Sequence, residues 1–179
     1  MSLVSNLETR VGGWLKSVPH LPAGAQKWLG SNVWWIVLVG VILSGISLLI
    51  GIIGFFAALA LIGTATSYYG YAVTSDVYGG GWIAGSLVSL AFTVVAAILL
   101  ATAIAPLKAK SKAGWNRLFI VLLLDAVFVV LNSILSFNPI GFIFGLIFGA
   151  IGLAIGAYFT FEIRGQFIEH KATKAAAKN

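Results

Sequence analysis

The sequence contains no cysteine and only two histidines among its 179 residues. Without cysteine the chain cannot form a disulfide, a thiolate metal site or a cysteine nucleophile. His20 and His170 lie outside the long apolar runs, so a histidine-based metal centre or proton relay within those runs is not expected. The sequence therefore predicts neither a metal nor a cofactor.

Charged residues are scarce as well. They make up 9% of the chain, and apolar residues make up 60%. A water-soluble domain has roughly a quarter charged and somewhat under half apolar residues, so this chain could not cover a globular surface with polar groups. The sequence predicts an integral membrane protein. It contains no glycine-rich phosphate loop and no carboxylate pair or Ser/His/Asp set at catalytic spacing, so we do not expect an enzyme.

Four apolar runs predict the fold class, which is an all-α integral membrane protein with a four-transmembrane-helix bundle. An N-terminal interfacial amphipathic helix and a C-terminal helical extension complete it. The first run is longer than a hydrocarbon core of about 30 Å requires, yet no polar turn divides it, so we expect one long helix. Asn138 and Pro139 predict a turn that makes the last two spans an antiparallel hairpin. The spans cover residues 33–63, 82–106, 118–136 and 140–162.

Lysine and arginine flank the predicted spans on one side only, and residues 64–81 and 137–139 contain neither. Because flanking positive residues stay in the cytoplasm, both termini are predicted to be cytoplasmic, with the protein in the cell membrane. These residues favour contacts with anionic lipid headgroups over nucleic acid. The basic residues are Arg10, Lys16, Lys27, Lys108, Lys110, Lys112, Arg117, Arg164, Lys171, Lys174 and Lys178.

The chain divides into a cytoplasmic arm (1–31), a membrane domain (32–164) and a cytoplasmic tail (165–179). In the arm, Ser5 and Glu8 have the spacing of a capping box. Residues 3–18 favour an amphipathic helix in the membrane interface, although an arm folded against its own protein is equally compatible. The apolar face of that helix would comprise Leu3, Leu7, Val11, Trp14, Leu15 and Val18.

Glycine recurs every three or four residues along one side of the fourth span. Small residues let helix backbones approach closely in lipid, so this face is predicted to pack against another helix. That helix could belong to the same chain, to a second copy in a homo-oligomer or to another membrane protein. The glycines are Gly141, Gly145, Gly149, Gly152 and Gly156.

Asp125 is the only charged-type residue in the interior of a predicted span, since Glu162 is the last residue of the fourth, and Asn132 lies seven residues further along the same helix face. An intramembrane carboxyl usually faces the bundle interior or a wet cavity. Two interpretations remain open: a protonated carboxyl that fixes helix packing, or a carboxylate that handles protons or cations. Polar residues expected at similar depths are Ser44, Ser47, Thr93 and Thr102.

Tryptophan is concentrated near the predicted ends of the spans, where its ring can lie at the level of the lipid headgroups. Trp82, with nearby tyrosines, is expected in an external aromatic belt. The predicted anchors on the cytoplasmic side are Trp14, Trp28, Trp34, Trp35 and Trp115.

The leading functional prediction is a non-enzymatic structural or accessory membrane component that associates through glycine-rich helix faces. The alternative is a small proton or cation channel or transporter whose path is lined by Asp125 and Asn132. A weaker alternative is a membrane-shaping protein that uses its N-terminal amphipathic helix as a wedge.

Overall fold

The computed structural model describes residues 3–69, 80–135 and 139–167, and within those ranges it contains five α-helices and no strand. Four of these helices are long and apolar enough to cross a membrane. The predicted fold class, an all-α membrane protein with four spanning helices, is confirmed. The helices are α1, Leu3–Leu15; α2, Ala23–Tyr69; α3, Gly80–Lys108; α4, Lys112–Ile134; and α5, Pro139–Glu162.

The first spanning helix, α2, is a single helix that extends beyond its apolar run at both ends. It contains 47 residues and begins at Ala23, so the predicted domain boundary at residues 31 and 32 falls within it. Its length is about 70 Å, which exceeds the hydrocarbon thickness of a bilayer. Residues 64–69 belong to the segment 64–81, which lacks lysine and arginine, and they form the last turns of α2. Residues 70–79 lie outside the described ranges.

α3 continues for two residues beyond Pro106, where the apolar run predicts its end, and finishes at Lys108. Proline lacks a backbone N–H, so Pro106 cannot donate to the carbonyl of Thr102 four residues earlier. Arg117 of α4 donates to that carbonyl through Nη1 instead. The helix can therefore contain Pro106 because a neighbouring guanidinium supplies the missing donor.

The turn between α3 and α4 brings the two helices into backbone contact. A Cβ added to Gly114 would lie 2.7 Å from the nitrogen of Leu107 and 2.8 Å from the carbonyl carbon of Pro106. Lys110 adopts a left-handed φ of 53°, and its Nζ donates to the carbonyl oxygen of Gly30 at 2.6 Å. Burial lowers the pKa of Lys110. The turn is thereby joined to α2 as well.

Among the described helices, extensive contacts join those that follow one another: α2 with α3, α3 with α4, and α4 with α5. The four spans thus form a row with α2 and α5 at its edges. α1 packs against α5. Since α2 and α5 make no such extensive contact, the row is not closed along its whole length.

The buried core lies at the end of the row that carries the flanking lysines and arginines, which we call the basic end. Trp115 and Phe119 of α4 stack there with ring centroids 5.5 Å apart. Trp115 Nε1 also donates to the carbonyl oxygen of Thr160 at 2.7 Å. The residues of this basic-end cluster are Val33, Val37, Ala103, Leu107, Trp115, Phe119, Ile163 and Phe167.

α1 is docked on the last turns of α5. Arg164 donates Nε and Nη2 to Glu8 Oε1 at 2.9 and 2.5 Å, and a Cβ on Gly12 would lie 3.2 Å from the ring of Phe161. Trp14 on another face of α1 remains 74% exposed. Of the two locations that the sequence allowed, the structure has α1 against its own protein, with part of its apolar face uncovered.

Candidate functional site

Asp125 and Asn132 lie on the face of α4 between its contacts with α3 and with α5, which we take as the inner face of the row. Successive helix residues are about 100° apart. Phe128 meets Phe92 of α3 with ring centroids 5.2 Å apart, and Val129 faces a glycine of α5. Viewed along the axis of α4, Phe128 points to α3 and Val129 points to α5. Asp125 and Asn132 point into the smaller of the two sectors between these directions. We call Val121, Asp125 and Asn132 the inner strip.

The inner strip becomes exposed with distance from the basic end. Val121 is 7% exposed, whereas Asp125, about one turn further on, and Asn132 are both exposed. Neither has a hydrogen bond or ion pair to any residue in the described part of the chain. The expected hydrogen-bond partners of Asp125 are therefore not found among the residues that the structure describes.

The other predicted polar residues form local contacts or none in the described ranges. Thr93 donates to the carbonyl of Ser89 at 2.8 Å, and Thr102 donates to the carbonyl of Leu99 at 2.8 Å. Ser44 is half-buried and Ser47 is exposed. The structure therefore does not gather these four residues around Asp125 through hydrogen bonds.

Most of the glycine face of α5 packs against α4 of the same chain. A Cβ on Gly145 would lie 2.7 Å from Ser133 Oγ, a Cβ on Gly149 would overlap Val129, and a Cβ on Gly156 would lie 3.2 Å from Leu122. From one contact to the next, the residue number in α5 rises by the same amount as the residue number in α4 falls. This is the pattern of two antiparallel helices in register. Gly152 meets nothing within 4 Å, and Gly141 also has a contact.

The predicted tryptophan anchors occupy different environments. Trp14, Trp28 and Trp35 are 74%, 59% and 40% exposed, whereas Trp115 is only 1% exposed and lies in the basic-end cluster. Trp115 is therefore a core residue of this chain. Trp34 is half-buried beneath Lys108, whose Nζ lies 5.0 Å from the ring, and Trp82 stacks on Phe55 at 5.9 Å.

Sequence reasoning missed a buried carboxylate at the end of α5. The side chain of Glu162 is 3% exposed. Its Oε1 lies 2.6 Å from His20 Nδ1, and its Oε2 accepts from Leu21 N at 2.9 Å and from Gln26 Nε2 at 3.0 Å. One carboxylate thus holds the α1–α2 connection against α5. The available signal was an acidic residue directly after an apolar span, where lipid cannot satisfy it.

The polar side chains described above can form hydrogen bonds and ion pairs. Within the described ranges, no group of three or more His, Asp or Glu residues is placed to hold a metal ion. No family model matches the chain, and neither a curated protein nor a solved structure matches it. Function therefore rests on the geometry of the inner strip, the exposed helix faces and the docked N-terminal helix.

Proposed function

We propose that this protein is a non-enzymatic membrane component that self-associates, with a second copy covering the inner strip of α4. The observation that carries the proposal is the exposed Asp125, which has no hydrogen-bond partner in the described part of the chain. An Asp at the centre of a spanning helix disfavours insertion by about 2.5–3.5 kcal/mol. A hydrogen bond from another helix would reduce that penalty.

Open glycine positions offer surfaces for such a helix. Much of the α5 glycine face is occupied by α4, so the association predicted from that face has to use other positions. Gly54 of α2 and Gly152 of α5 are exposed, and a Cβ at either position would meet nothing within 4 Å. Since α2 and α5 form the edges of the row, these glycines would let another helix approach either edge helix closely.

The experiment that tests self-association is a mass measurement in nanodiscs of the native chain, Asp125→Leu and Val127→Leu. Val127 is 52% exposed and lies outside the inner strip. We expect a native oligomer that Asp125→Leu dissociates and Val127→Leu preserves. A strictly monomeric native chain with nothing bound would refute the proposal, and a different co-purifying membrane protein would replace the second copy as the partner.

Transport of protons or cations is the second candidate. It is favoured by the shared inward direction of Asp125 and Asn132 on α4, since carboxyl and amide groups along one strip can line a polar path. A liposome flux assay compares the native chain with Asp125→Asn. Flux that the substitution abolishes would favour transport, whereas absence of flux under every gradient would leave self-association as the better explanation.

We also propose that the basic end faces the cytoplasm of the cell, with both termini on that side. Lysine and arginine flank the spans at this end only, which supports the orientation. Because the chain lacks cysteine, single cysteines are unique reporters. A membrane-impermeant maleimide added to intact cells should label Tyr68→Cys and spare Lys112→Cys, and the reverse pattern would invert the orientation.

A further inference from the structure

A cavity of about 540 Å³ lies between α1 and the end of α5. Gly12 and Gly13 form part of its wall on the α1 side, and Leu15 and Phe161 also line it. Its volume is within the range of about 300–1,000 Å³ that is typical of ligand sites. The wall thus combines glycine and apolar surface with charged and polar side chains, among them Lys16 and Arg164.

Lys16 and Arg164 supply N–H groups in the cavity that have no acceptor in the described part of the chain. Each lining carboxylate already has a partner, Glu8 Oε1 with Arg164 and Glu162 Oε1 with His20, and Glu8 Oε2 is the carboxylate oxygen without one there. In the part of the chain that the structure describes, Lys16 has no hydrogen bond or ion pair, and Nη1 of Arg164 makes no hydrogen bond. Of the lysine and arginine side chains that line the cavity, only Lys16 forms no ion pair with a carboxylate of the described chain.

The cavity lies at the level where α5 leaves its apolar span. That span ends at Glu162, so the cavity is at the boundary where phospholipid phosphate groups are found. Leu15 and Phe161, both half-buried, supply apolar surface in the cavity beside the charged groups. A ligand with both a phosphate and acyl chains would use the donors and the apolar surface together.

We propose that this cavity binds the phosphodiester headgroup of an anionic phospholipid, with Lys16 and Arg164 as its charged contacts. The unpaired N–H groups form charge-assisted hydrogen bonds to the phosphate oxygens, and the acyl chains lie beside Leu15 and Phe161, which line the cavity. A free phosphate ester would leave this apolar surface uncovered. The bound lipid joins α1 to α5, and the site does not depend on the proposed self-association.

The first test fills the cavity with a side chain. A Cβ at Gly13 or at Gly24 meets nothing within 4 Å, but only Gly13 lines the cavity. Leucine is therefore accommodated at both positions, and Gly24→Leu is the matched control. Native mass spectrometry of the full chain, released from nanodiscs of phosphatidylcholine and phosphatidylglycerol, should show phosphatidylglycerol retained by the native protein and Gly24→Leu and lost from Gly13→Leu.

The second test removes charge without adding volume. Lys16→Gln should weaken the retention of phosphatidylglycerol about tenfold, as expected for the loss of one charge-assisted hydrogen bond. Lys27→Gln removes the same charge from an exposed residue of α2 that does not line the cavity, and it should leave retention unchanged. Because neither substitution touches the buried core, this pair keeps the test valid even if Gly13→Leu fails to fold.

Three results would overturn the proposal. Equal retention of phosphatidylcholine and phosphatidylglycerol would show that the phosphodiester's net charge is not recognised. Equal losses in Lys16→Gln and Lys27→Gln would show general attraction of the basic surface for anionic lipid. Full displacement of phosphatidylglycerol by soluble glycerol phosphate would identify a site for free phosphate esters that does not use the acyl chains.

Discussion

The basic end and the apolar middle of the same helix row are packed in different ways. At the basic end, side chains from α2, α3, α4 and the residues after α5 meet in one buried cluster. In the most apolar windows of α2 and α3 only 6% of residues are buried, and in that of α5 none is. Composition does not explain the difference, because both regions are rich in large apolar residues.

The difference reflects the solvent that each region meets. Burial of apolar surface is favourable when the alternative is water, and near the headgroups water is within reach. In the hydrocarbon region lipid solvates Leu, Ile and Phe as well as another helix does, so helices associate through close packing and hydrogen bonds. A buried cluster at one end and glycine contacts in the middle are the expected outcome.

The largest predicted effect is the loss of a buried aromatic ring at the basic end, which we compare with the loss of an exposed ring in the apolar middle. Trp115→Ala removes a buried ring, its stacking on Phe119 and its hydrogen bond to Thr160, and should lower the free energy of unfolding by about 3–5 kcal/mol. Phe148→Ala removes a ring that is 66% exposed and should change it little. Unfolding in mixed micelles measures both, and equal losses would contradict the division into two regions.

The next effect concerns the glycine contacts in the middle. Gly149→Leu places a side chain against Val129 and should cost about 1–3 kcal/mol through overpacking. Gly152→Leu, three residues away on an open surface, is the control and should preserve the unfolding free energy of the monomer. The same unfolding titration applies, and tolerance of leucine at Gly149 would show that α4 and α5 are not held in this register.

A smaller effect tests how α3 accommodates Pro106. Arg117→Leu leaves the carbonyl of Thr102 without its guanidinium donor and should cost about 1.5 kcal/mol. In a Pro106→Ala background, the restored backbone N–H can reach that carbonyl, so the same substitution should cost less. A double-mutant cycle of unfolding free energies measures the difference. Strictly additive costs would mean that Arg117 acts independently of Pro106.

The smallest effect is expected where α1 meets α5. Glu8→Gln breaks the ion pair with Arg164, whose side chain is 42% exposed, and should cost less than about 1 kcal/mol because solvent screens the pair. Its consequence should be local, with faster amide hydrogen exchange in α1 and unchanged exchange in α4. Arg10→Gln, which alters an exposed residue of α1, is the control, and identical exchange in both variants would assign the docking to other contacts.

Several features of this protein follow from the sequence by itself. The four spans follow from the sequence, and one of them is unbroken from before Trp34 to beyond Gly63. The transfer free energy of a span is a sum over about 20 neighbouring residues, so it does not depend on which other residues the span contacts. The close approach of α5 to another helix can also be predicted from the sequence, since glycines at helical spacing leave room for a neighbouring helix.

Only the tertiary structure decided which residues from distant segments meet. It buried Trp115 in the basic-end cluster, and it joined Glu162 to the α1–α2 connection. It also left Asp125 exposed without a partner in the described part of the chain. These outcomes depend on the rotation and register of helices relative to one another. In lipid, the hydropathy of a residue does not specify that rotation, because an apolar side chain is equally well solvated on either side of its helix.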